Sequence, residues 1–275
     1  MAMDKFVLNP NAITISMRTN TFTTQNQIRA IWIDVDQTLL DFDLCAKSAL
    51  IDVFAWKNLE WKEEYYSIFL VENAKLWDQI EEGKITRDQL RKIRFEIMFE
   101  KWHIPYKPDV EFEAYFSKHL HSYAYPMPNA LQVLQILVQQ NYPLYIVSNG
   151  PAKGQRNRLQ KAGMLDLFQD VFTSEELGHA KPNLLFFEQA LEKVRCEQHD
   201  PTICPEQILI IGDSWKADIS GSLAFGSHSI WFRRNREFDP FDQPNEPSVL
   251  EAYNWNEVLE IISSTFTSPI SQSNQ

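Results

Sequence analysis

Four short apolar runs punctuate the chain, each followed by a polar or glycine residue: Ile31–Ile33 before Asp34, Leu144–Val147 before Ser148, Ile208–Ile211 before Gly212, and Ser229–Phe232 before Arg233. Their apolar residues are consecutive rather than alternating, which fits strands covered on both faces, as in a parallel sheet. Val171–Ser174 is a fifth, weaker strand candidate. Between the runs, segments such as Asn129–Gln140 and Asn183–Val194 repeat their apolar residues at helical spacing. Strand alternating with helix predicts right-handed crossovers and an α/β fold built on a doubly wound, Rossmann-like parallel sheet.

One interval breaks this rhythm. Residues 45–121 are aromatic-rich and helical in pattern, with no convincing strand. Glu82-Gly83-Lys84 divides a long helical pattern in two, Thr86 has the character of an N-cap, and Ile104-Pro105 closes the second half. An insertion directly after the first strand sits over the carboxyl edge of the sheet, where ligands bind in this architecture, so it is a candidate lid. The expected organisation is an extension over residues 1–27, an α/β core over 28–44 and 122–262, a helical cap over 45–121, and a polar tail over 263–275. The first and last segments lack sustained periodicity and are expected to be mobile.

Composition narrows the class. A chain of 275 residues with 44% hydrophobic and 23% charged residues can bury a large core. Its formal net charge of -11 argues against a nucleic-acid polymer or an anionic membrane as partner, since both attract basic surfaces. No apolar run approaches the ~18 to 20 residues of a membrane helix, and no secretory h-region opens the chain. Three scattered cysteines, Cys45, Cys196 and Cys204, fit a reducing compartment, so a cytoplasmic protein is expected. Cys45 has no neighbouring histidine to activate it and reads as a packed thiol at a helix start.

The candidate chemistry lies just past the strand ends, which converge on one crevice in such a sheet. Asp34 and Asp36, Ser148 and Asn149, Gly212 and Asp213, and the loop holding Lys181 would then share one region. Ionised carboxylates taken out of water need a cation. Acids for a hard divalent ion, beside hydroxyl, amide and ammonium groups for phosphate oxygens, suit magnesium plus a phosphoryl group.

On these residues the sequence resembles the haloacid dehalogenase superfamily of phosphotransferases, through DVDQTL at Asp34–Leu39, VSNG at Val147–Gly150, Lys181 within HAKPN, and GDSWKAD at Gly212–Asp218. The resemblance implies Asp34 as nucleophile, Asp36 as general acid and base, and Ser148, Asn149 and Lys181 as phosphoryl binders. It implies magnesium on Asp34, Asp213 and the backbone carbonyl of Asp36, with Asp218 supporting. An acid at position 36 also sets the chain apart from the dehalogenases that name the superfamily. Gln37 is a departure, because many relatives carry glycine there. Asp41 and Asp43 have no motif role and are expected to be a solvated hinge.

The cap and its flanks, including LWDQIEEGKIT, KAGMLDLF and TSEELGHAKPN, look most like bacterial house-cleaning pyrimidine 5′-nucleotidases. That likeness implies a small phosphomonoester substrate, with a sugar-phosphate phosphatase or phosphomutase as the alternative. A non-catalytic binding protein is disfavoured, since an idle site has no physical reason to keep its repelling acids. Trp56, Tyr65, Phe69 and Trp77 are candidates to stack on a base, although cap core is the simpler role for each. The six histidines form no ligand set, and only His179, two residues before Lys181, is a candidate neighbour of the phosphate loop.

Overall fold

The computed structural model describes residues 27–234, 246 and 248–269, so most of the N-terminal extension and the last six residues of the expected tail lie outside the described residues. Six strands form one parallel sheet: β1 Ala30–Ile33, β2 Leu144–Ser148, β3 Asp170–Thr173, β4 Ile208–Gly212, β5 His228–Phe232 and β6 Leu250–Ala252. Their order across the sheet is β3-β2-β1-β4-β5-β6, with all pairs parallel. The chain winds outward from β1 in one direction and then returns to its other side, so the switch point falls between β1 and β4, where this architecture opens its crevice.

The apolar runs are consecutive because both faces are covered. On one face, Ile31, Ile33, Leu144, Ile146, Leu209 and Ile211 pack against α5 Ala130–Gln139 and α10 Trp255–Thr265. On the other, Trp32, Tyr145, Val147 and Ile210 meet Phe186, Phe187, Ala190 and Val194 of α8 Leu184–Glu197. Each large apolar side chain buried in this way contributes roughly 1.5–3 kcal/mol. The strip β6 is a difference from the sequence pattern: only three residues long, it carries too little periodicity to stand out. The C-terminal end also differs, since α10 runs to Thr265, Phe266 is buried, and the backbone of Ile28 donates to Thr267.

Between β1 and β2 the chain forms four helices before α5: α1 Phe42–Trp56, α2 Glu64–Glu81, α3 Arg87–Lys101 and α4 Val110–Leu120. They share an aromatic-rich core of their own, including Phe54, Phe69, Phe95, Phe99, Trp102, Phe112 and Phe116. Gly83 breaks α2 from α3 at φ 70, and Thr86 caps α3 in a reciprocal capping box with Gln89. The end of α3 comes earlier than Ile104-Pro105, because His103 turns into the left-handed region at φ 56. Tyr65 and Phe69 are core residues of this unit, and Trp56 stacks on Tyr115 at 4.3 Å.

Candidate active site

Asp34 follows β1 directly, and its backbone donates to Ile211 of β4 at 2.9 Å, which places the acid at the switch point. It is 7% exposed. Ser148 ends β2 and is also buried, while Asp213 follows β4. The loop from β3 delivers Lys181, whose ammonium is buried and spends its donors on Asp34 Oδ1 at 2.8 Å, Asp218 Oδ1 at 2.6 Å and the Val147 carbonyl at 2.8 Å. Asp34 and Asp218, from two of the motifs, are thus joined by the buried cation of a third.

Charge explains this wiring. Burial alone would lower Lys181, yet the carboxylates of Asp218 and Asp34 outweigh it and hold the ammonium above the ordinary lysine range. Burial likewise pushes Asp34 up to about 7, with Lys181 pulling down and Asp218 and Asp36 pushing further up. Asp218 is 1% exposed, and its second oxygen accepts from the Ser214 amide at 3.1 Å, so it braces the lysine and the loop together. Gly212 makes this possible: a Cβ there would lie 2.3 Å from the Asp218 carboxylate. Asn149 holds the lysine loop through its side chain. Its amide oxygen accepts from the Lys181 backbone at 2.8 Å and its nitrogen donates to the Lys181 carbonyl at 2.9 Å, which fixes the lysine loop.

Three carboxylates, those of Asp34, Asp213 and Asp218, each bring one oxygen within 4.8 Å of the others. With one ammonium among them the cluster is anionic, and its hard oxygen donors fit magnesium. The Trp231 indole donates to the Asp213 carbonyl at 2.9 Å and steadies the loop, a support that no motif announces.

Asp36 does not join the Lys181 cluster. Its carboxylate accepts from Arg158 and, at 2.7 Å, from Gln155, both on α6 Ala152–Lys161. Neither residue is among those the sequence motifs point to.

The turn after Asp36 accounts for the remaining acids. Gln37 adopts φ 63, a conformation glycine reaches at no steric cost, and its side-chain oxygen accepts from Arg234. Asp41 is no solvated hinge: it caps α1 by accepting from the Leu44 amide at 2.9 Å and pairs with Arg234 at 3.2 Å, and Asp43 lies 3.7 Å from the same guanidinium. Further contacts join the helical unit to the sheet loops. Arg87, at the start of α3, donates to the Asn149 carbonyl and Ser174, and Lys216 meets Glu82 at 3.2 Å.

Known proteins are similar to this chain in sequence and fold. The HAD-hydrolase YfnB of Bacillus subtilis is 31% identical over 234 residues, spanning 85% of this chain and 93% of YfnB. A crystal structure of YfnB bound to magnesium superposes with a TM-score of 0.73 at 30% identity, covering 86% of this chain and 99% of that one. The pyrimidine 5′-nucleotidase PynA of Streptococcus pneumoniae is 29% identical over 231 residues, 83% of this chain and 92% of PynA. A glyceraldehyde 3-phosphate phosphatase of Methanothermobacter thermautotrophicus is 28% identical over 209 residues, 74% of this chain and 84% of that protein. Residues 28–226 match the family of haloacid dehalogenase-like hydrolases, and with the four motifs gathered at the switch point of the sheet, the chain belongs to that family of hydrolytic enzymes.

Proposed function

We propose that the chain is a magnesium-dependent phosphomonoester hydrolase working through an aspartyl-phosphate, with pyrimidine nucleoside 5′-monophosphates as its preferred substrates. The observation that carries the reaction class is the buried Lys181 ammonium shared by Asp34, Asp218 and the Val147 carbonyl, next in the chain to Ser148, at the mouth of the sheet. Asp34 and Asp213, with the backbone carbonyl of Asp36, would hold the magnesium ion. When bound, the ion neutralises the acids and charge on the phosphoryl oxygens.

The rest of the chemistry falls to side chains. An Asp34 carboxylate oxygen bonds to phosphorus as the bond from phosphorus to the leaving ester oxygen breaks, and Asp36 gives that oxygen its proton. Water then attacks phosphorus, passes a proton to Asp36 and releases phosphate, which restores both acids. Ser148 and Lys181 bind the phosphoryl oxygens; Asn149 and Asp218 keep Lys181 in place. The helical unit of residues 45–121 serves as the cap that selects the leaving group, and the setting is cytoplasmic.

Similarity to PynA supports the nucleotide reading, and similarity to the glyceraldehyde 3-phosphate phosphatase keeps sugar phosphates as the second one. Phosphate release across both substrate classes separates them. Uridine and thymidine monophosphates are expected to give higher kcat/KM than hexose or triose phosphates. The reverse order would move the protein to the second reading with the same core chemistry.

A further inference from the structure

Asp36 is gripped by two buried polar side chains that the mechanism above does not use. Gln155 is 1% exposed and Arg158 2% exposed, one helical turn apart on α6. Arg158 donates to Asp36 Oδ1 and, from the same nitrogen, to Gln155 Oε1 at 3.1 Å. Gln155 Nε2 donates both to Asp36 Oδ2 at 2.7 Å and to Ser148 Oγ at 3.0 Å. Arg158 is itself fixed by the Tyr123 carbonyl at 3.3 Å and lies 3.8 Å from Cys45 Sγ. The backbone is shaped to admit this bridge: a Cβ at Gly150 would fall 2.1 Å from Gln155 Nε2. Burying an arginine and an amide costs free energy that packing alone would not repay, so their contacts call for an explanation.

Resting on the hydrolase reading above, we propose that Gln155 and Arg158 are positioning residues that orient Asp36 for proton transfer to the leaving oxygen. The two partners differ chemically. A charged guanidinium favours negative charge on the oxygen it holds, Oδ1, and so disfavours the proton there. Gln155 gives Oδ2 one neutral N–H, which a protonated carboxyl oxygen can still accept through a lone pair, leaving its own hydrogen to point at the leaving oxygen. Oδ2 is therefore the oxygen that exchanges the proton. Because the same Gln155 nitrogen touches Ser148, Oδ2 lies on the side of the phosphoryl-binding residues. Gln155 thus ties proton transfer to phosphoryl binding through one amide.

The test uses leaving groups. A nucleoside monophosphate leaves as an alkoxide that needs the proton, whereas p-nitrophenyl phosphate leaves as a stabilised phenolate that hardly does. In kcat/KM, Arg158→Met and Gln155→Met should each lower the nucleotide reaction about 10- to 100-fold, part of the ~10²- to 10⁴-fold typical of general acid help, with a loss of only about threefold on the aryl ester. Adding either substitution to Asp36→Asn should cost little more, because the group they orient is gone. Gln155→Met conserves volume and leaves the arginine in place, so it reports even if Arg158→Met folds poorly. Equal losses on both substrates, or losses that simply add to that of Asp36→Asn, would overturn the proposal and leave a structural role. If instead Asp36→Asn itself works at the wild-type rate, the assignment of Asp36 fails, a separate outcome.

Discussion

Replacing Lys181 with methionine removes the one ammonium that Asp34 and Asp218 share, at nearly constant volume, so the effect should be electrostatic rather than a cavity. Three charge-assisted hydrogen bonds are lost, two of them to carboxylates, and breaking a buried pair by deleting one partner typically costs ~3–5 kcal/mol because the remaining charge is uncompensated. We expect that much loss in urea unfolding at about pH 8. The sign of the pH dependence follows from Asp34, already raised from 3.8 to about 7 mainly by burial, and pushed higher once Lys181 no longer opposes the rise. An acid with a raised native value binds more protons folded than unfolded, so stability recovers as pH falls through the native value towards 3.8. The wild type gains in the same way below about 7, so the deficit of the variant should shrink as pH falls from about 8 towards about 7 and then level off. Magnesium should also stabilise the variant, a readout independent of turnover. A loss below about 1 kcal/mol, or a deficit that grows on acidification, would refute the idea that Lys181 is held chiefly to balance these acids.

Asp213→Asn removes a charged metal donor, so excess magnesium should partly restore its steady-state rate, whereas Asp36→Asn keeps its backbone carbonyl but cannot move a proton and should not respond. A titration that rescues the second and not the first would exchange their roles. His121 is pushed down to about 4 from 6.5, first by burial and then by Arg158, so the unfolded chain takes up a proton between those values while the native one does not. Stability should fall by up to about 3 kcal/mol as pH drops through that window, and His121→Gln should flatten the slope; an unchanged slope in denaturant titrations would count against a half-buried neutral ring.

Legibility in the sequence tracked how strongly each feature is tied to a strand end. The apolar runs before Asp34, Ser148 and Gly212 are buried on both faces, and that requirement writes an unbroken hydrophobic signal. Thr86 and Gly83 were readable because capping and positive φ restrict residue choice. What escaped was nonlocal. Arg158 and Gln155 lie more than a hundred residues from Asp36, on a helix whose polar sequence gives no hint that two of its side chains are buried. Arg234 likewise reaches back to Gln37 and Asp41, which turned an expected solvated hinge into a pinned turn. Asn149 was legible as a strand-end residue, but its commitment to the Lys181 backbone depends on how two loops meet.

The central claim is that Asp34 carries the phosphoryl group between the two half-reactions. Enzyme mixed with a nucleoside monophosphate, quenched in acid within a single turnover and digested, should yield the peptide containing Asp34 with one phosphoryl group attached, and Asp34→Asn should yield none while remaining folded. Phosphate release by the wild type with no phosphorylated peptide at any quench time, together with undiminished turnover by Asp34→Asn, would contradict the account.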